Sequence, residues 1–190
     1  MGIVLASGSP RRLELLRMIG LRDFSVIPDT SEEEIVFGLS PEQTVCRIAL
    51  QKAYNVSLLC GNDDIVIAAD TLVYLDGLPY GKPECPENAA KMLKELSGRC
   101  HTVYTGLVLL RSGVPNTAVE KTDVYFREIL GSEIDVYVKS GEPMDNAGAY
   151  AAQGLGSIFI ERINGDFFNV IGLPLCRLSK MLKEFDLNVL

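Results

Sequence analysis

A chain of 190 residues that is 47% hydrophobic can bury one substantial core, and residues 1–190 read as a single domain. Its net charge of −7 repels nucleic acid and anionic membranes, so neither is expected as a partner, and an anionic substrate must meet clustered cations or a metal. Five cysteines, Cys46, Cys60, Cys85, Cys100 and Cys176, with no Cys-x-x-Cys pair and one histidine, exclude a disulfide framework and a zinc site.

Reduced, mostly buried thiols and a cytoplasmic protein are the expectation. No apolar run reaches the roughly 18 residues of a membrane span, and the N-terminus lacks the basic segment of a signal peptide. Gly2 suggests myristoylation, but Ala6 stands where that signal needs Ser or Thr.

Residues 1–5 predict a short buried strand, and Pro10 onward a helix with apolar positions at Leu13, Leu16 and Ile19, closed by Gly20. Ser9 is the expected N-cap and Pro10 the first helical residue. Backbone N–H groups, the Ser7 and Ser9 hydroxyls and the Arg11 and Arg12 guanidiniums then converge at a positive helix end. Physically this is an anion site, with phosphate the leading candidate, against the plainer reading of a helix start with two surface arginines.

Residues 24–27 predict a strand, and the acidic stretch 29–34, with Glu32, Glu33 and Glu34, a solvated loop. Ser40-Pro41-Glu42-Gln43 has the form of a capping box, opening a helix expected to run to about residue 60, with Lys52 in its middle. Residues 65–69 are continuously apolar and suit a strand buried on both faces, expected to end at Asp70-Thr71. A carboxylate there is costly unless paired or bound to a cation. Residues 72–75 and the Asp76-Gly77 turn predict a hairpin leading to Tyr80-Gly81-Lys82-Pro83. This stretch resembles a P-loop, but three residues separate Gly77 from Gly81 and Pro83 replaces the metal-binding hydroxyl. Lys82 can still meet a phosphate as a point charge.

Residues 86–96 predict a helix with Ala89, Met92, Leu93 and Leu96 inward and Gly98 as its stop. Residues 101–110 and 118–126 predict strands joined by a turn at 112–116. Ser132 is the expected cap of a short helix ending near Gly141. Residues 142–156 read as a long loop carrying Gln153, of the kind that often bears function. Residues 157–163 and 167–171 flank Asn164-Gly165 as a predicted hairpin. Residues 172–174 open a final helix reaching about residue 185. The sum is an α/β domain with a mixed, partly antiparallel sheet.

One histidine, His101, and no Gly-x-Ser-x-Gly elbow argue against a serine hydrolase; the absence of Gly-x-Gly-x-x-Gly removes support for nicotinamide chemistry. Carboxylates, lysines and arginines beside an anion-binding turn remain. With Mg²⁺, which takes oxygen ligands and keeps waters, that inventory suits phosphoanhydride hydrolysis.

Four stretches carry a family resemblance: Leu5-Ala-Ser-Gly-Ser-Pro-Arg-Arg12; Ala69-Asp-Thr71 with Gly81-Lys-Pro83; Leu96-Ser-Gly98 with His101; and Ala147-Gly-Ala-Tyr150 with Gln153-Gly-Leu-Gly156 and Gly172-Leu-Pro174. In this order, over nearly the whole chain, the sequence resembles the Maf-like nucleoside triphosphate pyrophosphatases. The resemblance implies a Maf/ITPase-like two-lobed α/β fold with a deep central cleft. It also implies a divalent cation, Mg²⁺ or Mn²⁺, a nucleoside triphosphate as substrate, pyrophosphate as product, and a homodimer.

Position by position, the resemblance makes Asp70 the proton acceptor and Glu33 a carboxylate beside the metal, so that Glu33 and Asp70 are the expected metal ligands. Lys82 joins them as a catalytic cation, with Arg12 and Lys52 as further cleft cations and Ser7 and Ser9 in the phosphate-binding turn beside Arg11. Arg12, Thr71 and Gln153 resemble the branch acting on dTTP and UTP; a Gln153 amide can donate to and accept from a pyrimidine-dione edge. Modified pyrimidine nucleotides fit the same reading. Alternatives are the same chemistry on purine or methylated GTP substrates, and a nucleotide-binding regulator of cell division with little turnover. One departure is Asn146, where many relatives carry Lys.

Overall fold

The computed structural model describes residues 2–31, 36 and 38–189. Its strands are β1 (Ile3–Leu5), β2 (Ser25–Val26), β3 (Ile65–Leu75), β4 (Leu78–Tyr80), β5 (Cys100–Arg111), β6 (Val114–Phe126) and β7 (Ile160–Asn164). Among the described residues these form one sheet in the order β2-β1-β3-β5-β6-β7, with β4 paired to β3. Pairing is parallel for β1 with β2 and β3, and antiparallel for β3 with β4 and β6 with β7. The expected α/β class and mixed sheet are therefore what the chain adopts. The chain divides into two compact units, Met1–Asp70 with Thr105–Glu120 and Gly172–Leu190, and Thr71–Tyr104 with Lys121–Ile171. No helix of the described residues is long and apolar enough to cross a membrane.

In the first unit, α1 (Pro10–Met18), α2 (Pro41–Ser57) and α6 (Leu175–Lys183) accompany β1 and β2. The capping box forms as written in the sequence: Gln43 N donates to Ser40 Oγ at 3.2 Å and Ser40 N to Gln43 Oε1 at 2.9 Å. Helix α2 buries Ala49, Ala53 and Val56 against Val4, Ala6, Val66, Ala68, Val108 and Leu110, each large aliphatic side chain contributing about 1.5–3 kcal/mol. Its approach is close enough to require glycine, since a Cβ on Gly106 would lie 2.3 Å from the Val45 carbonyl oxygen. The helix stops at Ser57, short of the expected residue 60: the Ser57 hydroxyl donates to the Tyr54 carbonyl at 2.7 Å, and residues 58–60 tighten into turns. Helix α6 likewise stops at Lys183 rather than about residue 185, with Asp186 left-handed at φ 60° and Leu187 N returning to Leu182 O.

Strand β3 departs most usefully from expectation. Instead of ending at Asp70-Thr71 it runs on to Leu75, and Asp70 is buried within it. Lys52 reaches Asp70, so the carboxylate has an opposite charge and does not force the strand to break.

The second unit contains α3 (Pro86–Leu96), α4 (Gly131–Lys139) and α5 (Phe167–Ile171), with 3-10 turns at Glu142–Asp145, Ala147–Ala149 and Leu155–Phe159. Ala89, Leu93, Val103, Phe126, Ile134, Tyr137 and Phe159 belong to its core. Asp76 and Gly77, at φ 52° and 78°, make the expected two-residue turn between β3 and β4. The β5–β6 turn is equally short, Ser112 and Gly113 at φ 50° and 76°, so residues 114–116 extend the strand rather than the loop.

Three further expectations change. Helix α4 starts at Gly131 with Leu130, not Ser132, at the N-cap; Glu133 Oε2 accepts from Leu130 N at 2.9 Å and is itself held by Arg127, and the helix ends at Lys139. The stretch 142–156 contains 3-10 turns rather than plain loop. The Asn164-Gly165 hairpin does not form: β7 pairs with β6, and residues 167–171 are helical because Asp166 Oδ1 accepts from Phe168 N at 2.8 Å and starts a helix. The cysteines are free as expected, but none is fully buried, and Cys100 and Cys176 are exposed.

Candidate functional site

In the first unit, β1 and β3 run parallel with Leu5 opposite Ile67, and Ala6 N extends the ladder by donating to Ile67 O at 2.8 Å. The segment following Leu5 therefore leaves the carboxyl end of β1 alongside the part of β3 that leads to Asp70, and the carboxyl ends of parallel strands are the usual place for ligands in such sheets. Ser7 is buried there, and its hydroxyl oxygen accepts from Ser9 N at 3.3 Å and from Arg12 Nη1 at 3.0 Å. Arg12 Nε donates to the Gly172 carbonyl at 2.8 Å. The guanidinium is thus oriented by two groups far apart in sequence. Ser9 is the N-cap of α1 through its backbone, its carbonyl accepting from Leu13 N at 3.3 Å, but its side chain makes no cap hydrogen bond. Arg11, on the first turn of α1, is half-buried.

Asp70 is 4% exposed, and Lys52 Nζ donates to its Oδ1 at 2.7 Å. Its other oxygen, Oδ2, is buried with no hydrogen-bond partner. An ionised carboxylate oxygen without a donor is expensive to bury, so this atom is positioned for a proton or a cation. The donor chemistry fits a hard divalent ion. Among the described residues no cluster of three or more His, Cys, Asp or Glu could cage a metal, and Mg²⁺ commonly takes one or two carboxylates and completes its shell with water and substrate oxygens. Glu33, the other expected metal ligand, lies outside the described residues.

In the second unit, Thr71 is half-buried within β3 rather than in a turn. Lys82 is exposed, on a segment fixed by Gly148 N donating to the Gly81 carbonyl at 3.1 Å. Gln153 is exposed, and among the described residues its side chain makes no hydrogen bond. Asn146, the departure from the resemblance, is buried and spends its amide on the backbone, Nδ2 donating to the Glu142 carbonyl at 2.7 Å. It braces a turn.

His101 is a core residue. Its Nε2 lies 2.8 Å from the Tyr150 hydroxyl, its ring packs edge-on against Phe126 and Tyr150, and burial pushes its pKa down to about 4. Burial also raises the Tyr150 phenol well above its usual range. Both stay neutral at neutral pH. Gly172 belongs to a stretch that carries the resemblance, but its carbonyl on Arg12 has no sequence signal, and neither has the pair Tyr137 and Glu142, which hydrogen-bond the 151–156 backbone. Carbonyls and carboxylates that serve backbone groups follow no spacing rule, so only their nearness to a glycine-rich stretch marks them.

Comparisons with known proteins add to this geometry. A family model described as Maf-like protein matches residues 2–185. A dTTP/UTP pyrophosphatase of Bacillus cereus (strain G9842) is 45% identical over 187 residues, covering 98% of this chain and 97% of its own. One from Bacillus anthracis is 46% identical over the same shares. Among solved structures, a HAM1 protein from Coxiella burnetii superimposes with a TM-score of 0.52 at 19% identity, covering 97% of this chain and 99% of that one, which supports the fold.

Proposed function

The chain belongs to the Maf-like protein family, and we propose that it is a hydrolase that cleaves dTTP and UTP to the nucleoside monophosphate and pyrophosphate. The near-full-length relatives named for that activity support the substrate. The observation that carries the chemistry is Asp70, a buried carboxylate with one oxygen on Lys52 and the other unpartnered.

In this reading the oxygen of a water molecule bonds to the α phosphorus, the bond to the α–β bridging oxygen breaks, and pyrophosphate leaves with the electron pair. Asp70 accepts the water's proton at Oδ2, while Lys52 holds Oδ1 and so fixes the carboxylate plane. Asp70 and Glu33 would hold a Mg²⁺ or Mn²⁺ ion, which when bound neutralises charge on the phosphate oxygens. Arg12, oriented by Ser7 and Gly172, grips phosphate with Ser7, Ser9, Arg11 and Lys82. Gln153, with its amide uncommitted, reads the pyrimidine-dione edge by one donated and one accepted hydrogen bond, and Thr71 assists in positioning.

Incubation with a panel of nucleoside triphosphates and Mg²⁺, with products separated by ion chromatography, tests this. Pyrophosphate and monophosphate from dTTP and UTP are expected. Release of orthophosphate, or a strong preference for methylated GTP, would overturn it.

A further inference from the structure

Gln153 stands on an exposed stretch, yet reading a base edge requires its amide to be held in place. The backbone on both sides of it ends on one pair of side chains. Ala151 N donates to the Tyr137 hydroxyl at 3.0 Å, and that hydroxyl donates to Glu142 Oε1 at 2.9 Å. Beyond Gln153, Leu155 N donates to Glu142 Oε2 and Gly156 N to Oε1, both at 3.0 Å. Residues 152–154 are thus strung between anchors at Ala151 and Leu155, with Gln153 at the centre.

Other contacts fit the carboxylate to this place. Asn146 Nδ2 holds the Glu142 carbonyl, and the Tyr137 ring packs edge-on against Phe159 at 5.1 Å. Gly154 leaves room for the carboxylate: a Cβ there would lie 2.5 Å from Glu142 Oε2.

We infer that Glu142, with Tyr137, is a positioning residue for base choice, a clamp that fixes the 151–156 backbone so that Gln153 presents its amide in one orientation to a pyrimidine-dione. The inference rests on the dTTP/UTP reading above. Without the clamp, Gln153 must be ordered at each binding event, so the loss falls on recognition and not on the reacting groups.

Glu142→Gln keeps the size of the side chain but puts an NH₂ group against a backbone N–H. It should speed amide hydrogen exchange at Leu155 and Gly156. It should also lower the ratio of kcat/KM for dTTP over dCTP by about tenfold, mainly through KM, with kcat changed less than about threefold. Tyr137→Phe, which retains the ring on Phe159, should speed exchange at Ala151 and lower the same ratio; it decides the matter should Glu142→Gln not fold. In a Gln153→Ala background Glu142→Gln should cost no further discrimination. Unchanged exchange at Leu155 and Gly156, or faster exchange with a wild-type dTTP:dCTP ratio, would overturn the clamp. Wild-type turnover of dTTP is the control: its absence sinks the proposed activity, whereas its presence with an unmoved ratio sinks only the clamp.

Discussion

In the first unit the groups assigned to the triphosphate sit on regular structure or directly beside it. Ser7 follows β1, Arg12 is on the first turns of α1, and Asp70 lies on a strand hydrogen-bonded to β1, with Lys52 supplied by α2. Their positions follow from backbone ladders and a capped helix. In the second unit Gln153 stands between 3-10 turns, and its backbone is held by a carboxylate and a phenol. Groups that must face charge are thus built on rigid elements and paired electrostatically. The group proposed to choose the base rests on a loop stiffened by side chains, where a change of sequence would retune preference without disturbing the strands.

The sharpest way to break this division is Asp70→Asn. The amide has nearly the same shape and can still accept from Lys52, but it cannot take a proton. Turnover of dTTP should fall by about 10²–10⁴-fold while equilibrium binding of dTTP is largely kept. Steady-state kinetics alongside calorimetric binding checks both halves. Wild-type turnover would remove Asp70 from the chemistry, and a matching loss of binding would make it a charge-balancing residue for Lys52.

The same division governs how much was legible in the sequence. The capping box at Ser40, the apolar run before Asp70 and the Asp76-Gly77 turn are local patterns, and each produced its element. Asp70 and the Ser7–Arg12 turn stood out for that reason. The strand runs past Asp70, against the local pattern, because the compensating charge, Lys52, comes from a helix eighteen positions earlier. Asn164-Gly165 carried a true turn signal but a false hairpin, since the Asp166 side chain captures Phe168 N and starts a helix. Glu142 and Tyr137 follow no sequence pattern, because a carboxylate accepting from backbone N–H groups thirteen and fourteen residues on has no period to detect.

A second test probes the core of the second unit rather than its loop. An unfolded histidine titrates near 6.5, whereas buried His101 is held down to about 4. Between those values the unfolded chain binds a proton that the folded chain refuses, so stability rises with pH across the window and this contribution is complete above about pH 6.5. The loss near pH 4 approaches about 3 kcal/mol. His101→Phe should flatten the stability profile between pH 4 and 6.5, measured by urea unfolding at several pH values. At pH 7 it should cost about 1–3 kcal/mol, because the Tyr150 hydroxyl is stranded in the core. An unchanged slope would place the acid sensitivity in other groups.

The smallest expected effect separates the loop's fold from its clamp, using two glycines two residues apart. A methyl group on Gly156 would meet the Ala151 carbonyl oxygen at 2.9 Å and the Tyr137 hydroxyl at 2.6 Å, so backbone must move. On Gly154, whose extended backbone suits any residue, it meets only the carboxylate end of Glu142, which can swing aside. Gly156→Ala should therefore lower the melting temperature clearly, at about 1–3 kcal/mol. Gly154→Ala should cost about 1 kcal/mol or less and yet reduce the preference for dTTP over dCTP severalfold, by displacing the carboxylate that holds Leu155 and Gly156. Thermal unfolding paired with the two kcat/KM values distinguishes them. Equal losses of stability in both variants would mean that Glu142 holds the fold of this stretch rather than the orientation of Gln153.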